Sequence, residues 1–223
     1  MKSNEVLQKD VQDAIKWEPL LNVAEIGVTA KDGVVTLSGT VDSYAKKMEA
    51  EAAAKSVMGV KAVVEKIEIK LGDWAKITDG EIAIEVLNAF NWNWDVPKDK
   101  IKVKVEAGWL TLDGEVNWYY QKEAAKKSVK TLNGVKGVND NITIRSENPV
   151  EIQKRDIELA LARNGSLNAN DIEVIVSGSN VKLVGRVNSW LQREEAGRIA
   201  WNAPGVWSLD NELMVSFNEE YVY

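Results

Sequence analysis

A chain that repeats itself folds only into what its repeat can build, and this sequence contains the same unit three times. A shift of 75 residues lays Gly33, Leu37, Gly39, Val41 and Tyr44 on Gly108, Leu112, Gly114, Val116 and Tyr119. It also lays Gly59-Val60-Lys61 on Gly134-Val135-Lys136, Ile67 and Ile69 on Ile142 and Ile144, and Trp17 on Trp92. A further shift of 71 carries Gly114 to Gly185, Val116 to Val187, Tyr119 to Trp190 and Gly134-Val135 to Gly205-Val206. No gap is needed inside a copy. The two offsets differ because the linker around Gly72-Asp73-Trp74 is longer than the one around Ser146-Glu147-Asn148-Pro149. The expected domains are 1–72, 73–147 and 148–223.

Each copy has one internal order. Val11, Ala14 and Ile15 stand at helical spacing, as do Val86, Ala89 and Phe90, and Ile157, Ala160 and Leu161. Strict alternation follows in Ile26/Val28/Ala30, then a tight turn at Asp32-Gly33 and a second run, Val35/Leu37/Gly39/Val41. Asp42, Asn117 and Asn188 stand where an N-cap opens a second helix. That helix is expected to end near Gly59, Gly134 and Gly205, the residue type suited to a left-handed C′ position. A third alternating run closes each unit: Val63/Ile67/Ile69, Val138/Ile142/Ile144 and Leu209/Leu213/Val215. The expected class is α+β: three tandem αββαβ domains, each a three-stranded mixed sheet with two helices on one face. Gly39, Gly114 and Gly185 fall at core-facing positions of the second strand, where a helix backbone is expected to approach too closely for a side chain. Units of about 70 residues are marginal alone, so the copies are expected to lean on one another.

The composition excludes several kinds of chemistry. Cysteine and histidine are both absent. That removes disulfides, zinc sites of the usual kind, and Ser–His or Cys–His nucleophile pairs. No glycine-rich phosphate loop is present, and no cofactor or enzyme activity is expected. The net charge of −6 argues against general affinity for nucleic acid or an anionic membrane, though it leaves room for a local basic patch. No stretch approaches the roughly 18 apolar residues of a spanning helix. Met1-Lys2-Ser3-Asn4-Glu5 lacks the features of a signal peptide, so a cytoplasmic location is expected if Met1 is native and a periplasmic one if a leader was removed.

The frame Gly33-Val34-Val35-Thr36-Leu37-Ser38-Gly39 with Val41, the aromatic Tyr44, and then Gly59-Val60 resembles the BON domain family (bacterial OsmY and nodulation). Gly108-Trp109-Leu110-Thr111-Leu112-Asp113-Gly114 and Val181-Lys182-Leu183-Val184-Gly185 carry the same likeness through copies two and three. Copy three departs at its hairpin, where Gly178-Ser179-Asn180 replaces the expected order. The resemblance implies an αββαβ fold and a non-enzymatic, often envelope-associated protein. It also implies links to osmotic stress and binding of phospholipid surfaces or partner proteins.

Alternation puts Lys100, Lys102, Lys104, Trp109, Asn141 and Arg145 on the sheet face of copy two that points away from the helices. These residues are the candidate anion- or lipid-binding face. A solvated face is the plain alternative, and a cytosolic nucleic-acid-binding protein using this face is the competing function. Copy three presents Ile175, Val184 and Met214 on the equivalent face, a candidate docking patch for a neighbour such as Trp109. Lys122, Lys126 and Lys130, with Lys127 beside them, read as a solvated helix face, with phosphate attraction as the alternative. Tyr44, Tyr119 and Trp190 open the second helix of each copy and read as packing residues. Trp92, Trp94, Trp118 and Trp207 lie near element ends, where aromatics often mark interfaces or serve as a sugar platform. Glu194 and Glu195 are adjacent on a helix, so they diverge by about 100° and cannot face one another as an acid/base pair.

Overall fold

The computed structural model describes residues 2–72, 77–145 and 151–216. The expected boundary at 72/73 lies at the edge of the described residues. The boundary at 147/148 and the reading of Met1 lie outside them.

Each copy folds as a helix, a β-hairpin, a second helix and a third strand. Copy one runs α1 (Asn4–Trp17), β1 (Ile26–Lys31), β2 (Val34–Val41), α2 (Tyr44–Ser56) and β3 (Ala62–Ile69). Copy two runs α3 (Asp79–Trp92), β4 (Ile101–Glu106), β5 (Trp109–Val116), α4 (Tyr119–Val129) and β6 (Gly137–Ile144). Copy three runs α5 (Lys154–Arg163), β7 (Ile172–Ser177), β8 (Asn180–Val187), α6 (Trp190–Trp201) and β9 (Ser208–Val215). Each sheet keeps its strands in sequence order, with the second strand central. In copies two and three the hairpin pair is antiparallel, and the strand arriving after the crossover helix lies parallel to the central one. The sheets are therefore mixed and α+β, as the sequence predicts.

One face of each sheet is dry. In copy three, Ile172, Val174, Val181, Leu183, Val187 and Leu213 meet Ile157 and Leu161 of α5 and Ala196 and Ala200 of α6 in a single apolar cluster. The first helices bury the expected seam, Val11 and Ile15, Val86 and Phe90, Ile157 and Leu161. The second helices bury small residues instead, such as Ala50, Ala53 and Ala54 in α2, which lets the helix lie close to the sheet.

Three local features differ from expectation, and the departure expected at the copy-three hairpin takes a defined form. The close approach at the central glycine is made by the 3-10 turn just before the first strand, not by an α-helix. A Cβ on Gly39, Gly114 or Gly185 would lie 2.0, 2.2 or 2.0 Å from the carbonyl oxygen of Glu25, Lys100 or Asp171. The second helices start one residue later than expected. Ser43 and Ser189 supply the capping oxygens, to the Lys46 and Gln192 amides. In copy two the Gln121 side chain accepts from the Asn117 and Trp118 amides. Gly59, Gly134 and Gly205 lie beyond the helix C-cap, as the third residue of a following turn closed by Val60, Val135 and Val206. The copy-three hairpin carries its positive φ at Gly178, the first central position, which suits a type II′ turn. Copies one and two instead use paired positive φ values at Asp32-Gly33 and Ala107-Gly108.

The chain gathers into two compact units. One holds most of copy one together with copy three (Met1–Thr40, Met48–Glu68 and Val150–Tyr223), and the other holds Val41–Lys47 with Ile69–Pro149. Within the first unit, Trp190 Nε1 of α6 donates to the Lys61 carbonyl at 2.8 Å, and Glu194 pairs with Lys55 of α2 at 3.1 Å.

Candidate functional site

The ladder register fixes which residues share the solvent face of the copy-two sheet. Glu106, Trp109 and Gly137 form one row across it. Lys104, Thr111 and Asn139 form the next, and Lys102, Asp113 and Asn141 the third, with Glu115 and Thr143 beyond. Trp109 lies flat over Gly137, so that a Cβ there would fall 2.3 Å from the indole ring. Asn141 Nδ2 donates to Asp113 at 2.9 Å, and Lys104 pairs with Glu106 at 2.9 Å. Lys102, Lys104 and Trp109 are thus brought together, with three carboxylates among them. Lys100 sits in the 3-10 turn with its ammonium 3.4 Å from Asn117, and Arg145 follows the end of β6. Both are at the end of the sheet away from Trp109, about 20 Å along the strands for Lys100 and about 26 Å for Arg145.

In copy three, Ile175, Val184 and Met214 do share one face, with Ile175 and Met214 exposed. Lys182 lies among them, bonded to Glu212 at 2.5 Å and to Asp210 at 3.5 Å. Apart from that patch, a hydrogen bond and an ion pair run from Trp190 and Glu194 on α6 to copy one. Glu195 turns to Arg198 and to Asn164, the residue that follows α5, and the Arg198 guanidinium holds its carboxyl below the usual value of 4.5. The two glutamates therefore serve different neighbours. A shallow groove of about 470 Å³ lies between α5 and α6 beside this pair, floored by Ile157, Ala160, Ile199 and Ala203.

The lysines of α4 are not merely solvated. Lys122 donates to the Ile142 carbonyl and pairs with Asp140 at 3.3 Å, and Lys126 reaches the same carboxylate at 3.7 Å. Arg193 does the equivalent work in copy three, donating to the Leu213 and Asn211 carbonyls and covering the Trp190 ring at 4.9 Å. Both cations fasten the second helix to the third strand. Partial burial of Lys126 works against its charge, but Glu123 and Asp140 outweigh that and raise its pKa above 10.5.

One surface escapes a reading by alternation. On α3, Ile84 (59% exposed) and Leu87 (54%) lie on the side away from the buried Ile82-Val86-Phe90 seam. Trp92 (89%) ends the helix and Trp94 (91%) follows it. The Lys98 ammonium bonds Asn91 at 2.9 Å, at the rim of this apolar surface. Copy one places Lys9, Gln12, Trp17 and Pro19 at the same positions, and copy three places Arg155, Glu158, Arg163 and Gly165. The contrast between copies is the sequence signal that would have found it.

A model of the BON domain matches the chain three times, over residues 3–70, 78–146 and 150–216. The osmotically inducible protein Y of Escherichia coli (strain K12) is 33% identical over 128 residues, covering 53% of this chain and 61% of that protein. The aligned stretch thus spans about three fifths of that relative's length. Among solved structures, CdsD, a structural protein of the type III secretion system of Chlamydia trachomatis, aligns over 96% of this chain and 94% of its own at 16% identity, with a TM-score of 0.27. Its C-terminal domain gives 17% identity and a TM-score of 0.26, over 96% of this chain and 100% of that domain. These scores are too low to bear on architecture.

Proposed function

The chain belongs to the BON domain family, in three tandem copies, and from that membership we propose that it is a non-enzymatic, stress-associated binding protein that docks on phospholipid surfaces through its second copy. The stress association rests on the likeness to an osmotically inducible protein. The docking surface rests on one observation: Ile84, Leu87, Trp92 and Trp94 are all exposed where the other copies place mostly polar or charged residues. Four large apolar side chains on one helix and its following turn would bury most of their surface in a headgroup layer, and tryptophan favours that boundary. Lys98 at the rim adds attraction to lipid phosphates, worth on the order of 1 kcal/mol. No described helix is long and apolar enough to cross a membrane, so the contact proposed is a surface one. Nucleic acid finds less support, because Glu106, Asp113 and Glu115 share the sheet face with Lys102 and Lys104.

Sedimentation with vesicles of phosphatidylcholine and phosphatidylglycerol tests this reading. The variants Ile84→Lys and Leu87→Gln install the residues of copy one, which the same fold already carries. Combined with Trp94→Ser they should lower vesicle affinity by at least roughly 100-fold, since three apolar side chains withheld from burial forfeit upward of about 4 kcal/mol, of which the new lysine restores only about 1 kcal/mol through the lipid phosphates. The unfolding midpoint should barely move. Unchanged vesicle binding by the folded triple variant would refute the proposal.

A further inference from the structure

The solvent face of the copy-two sheet is a second surface, remote in character from the apolar side of α3. Its three rows put an indole at one end, followed by Thr111 with Asn139 and by Asp113 with Asn141. Trp109 is 48% exposed, and its inner face is fixed by Gly137 beneath it. One face of the ring is thus covered by the Gly137 backbone while the other is open to solvent. The pairing of a large ring with the smallest residue belongs to this copy alone, since copy one has Val34 with Ala62 and copy three Asn180 with Ser208.

Charge decides the class of ligand. Two lysines, Lys102 and Lys104, face three carboxylates, Glu106, Asp113 and Glu115, and one of these is already ion-paired. An anionic polymer would meet the carboxylates and a cationic one the ammonium groups. An uncharged ligand meets neither penalty. The remaining groups are suited to hydroxyls: Thr and Asn both donate and accept, and Asp accepts. Among the described residues the Asn139 side-chain amide has no protein partner, while the Asn141 side chain is bonded to Asp113. From the indole to that pair is about 14 Å along the strands, enough for several linked rings rather than one.

We propose that this face binds a neutral glycan chain, with the C–H face of one pyranose ring stacked on Trp109 and the hydroxyls of its neighbours bonded to Asn139, Asp113 and Asn141. The electron-rich indole face attracts the slightly positive C–H groups of a sugar ring, just as it does other ring edges. The test titrates the intact protein with the β-1,4-linked glucose hexamer and the β-1,4-linked N-acetylglucosamine hexamer, following the Trp109 indole and Asn139 amide signals by NMR. At least one hexamer should saturate those signals with a Kd at or below about 1 mM. Trp109→Ala should weaken binding roughly tenfold, as loss of a stacking platform does. Asn139→Ala, an exposed change that leaves the Gly137 cover intact, should weaken it about threefold to tenfold. Affinity should stay constant between about 50 and 500 mM salt, because no net charge is matched. The α3 variants should bind sugar normally, which separates this proposal from the phospholipid one. Absence of saturation by either hexamer, wild-type affinity in Asn139→Ala, or a steep salt dependence would each overturn it. If Trp109→Ala does not fold, Asn139→Ala alone decides the outcome.

Discussion

At Gly114 the space for a side chain is missing altogether. A Cβ would lie 2.2 Å from the Lys100 carbonyl oxygen and 3.2 Å from the Ile101 Cα, both backbone atoms that cannot rotate aside. Gly165 offers the opposite case, with nothing within 4 Å of a Cβ and no positive φ. Gly114→Ala should therefore cost about 2–4 kcal/mol, because the 3-10 turn must move away from the hairpin. Gly165→Ala should lie within about 0.5 kcal/mol of wild type. Urea unfolding midpoints of the two variants make the comparison. Equal midpoints would mean that the 3-10 turn can move aside at little cost.

The elements are held to one another by bonds whose strength depends on pH in a predictable direction. Glu195 of α6 accepts from Asn164 at the end of α5 and takes two bonds from Arg198, at 2.6 and 2.7 Å. The native pKa is lowered, chiefly by the Arg198 hydrogen bonds. The unfolded chain thus binds a proton more readily than the native one. The contribution is complete above the unfolded value near 4.5 and is lost as pH falls through the native one. Glu195→Gln should cost up to about 1 kcal/mol at pH 7, since the pair is partly exposed, and the gap should narrow and close as pH falls from the unfolded carboxylate value through the lowered native one. Denaturation at several pH values would show it. At this scale the sequence is most legible, because alternation and helical spacing are imposed by burial on one face. Val11, Val35, Leu37 and their counterparts could be assigned for that reason. The 3-10 turns were not legible, because three residues carry no periodicity. The capping serines are not singled out by sequence, because Asp42, Asn117 and Asn188, one place earlier, are equally good capping types. Alternation places the lysines on the copy-two sheet face, and the acids at the same parity, Glu106, Asp113 and Glu115, share it and change its charge. The side-chain bonds of Lys122 and Arg193 to strand carbonyls depend on tertiary distance, which spacing along a helix does not reveal.

Across the molecule, copies one and three form a unit although copy two lies between them in sequence. Trp190 and Lys61 are 129 residues apart, and the bond between them ties the start of α6 to the residue before β3. Trp190→Phe keeps the ring and removes the donor. It should raise hydrogen exchange at the Lys61 and Ala62 amides about fivefold, as expected when a bond worth about 1 kcal/mol is lost. Unchanged exchange would mean that this bond does not stabilise copy one. The same separation puts a schedule on the ribosome. At about 5–20 residues per second, Trp190 is synthesised roughly 6–26 s after Lys61. Through that interval copy one must exist without its partner, while the whole of copy two, whose contacts are closer in sequence, has time to be made. The nascent chain therefore acquires its middle module before its outer two can join, and a chaperone that shields copy one would have to release it before that union could form.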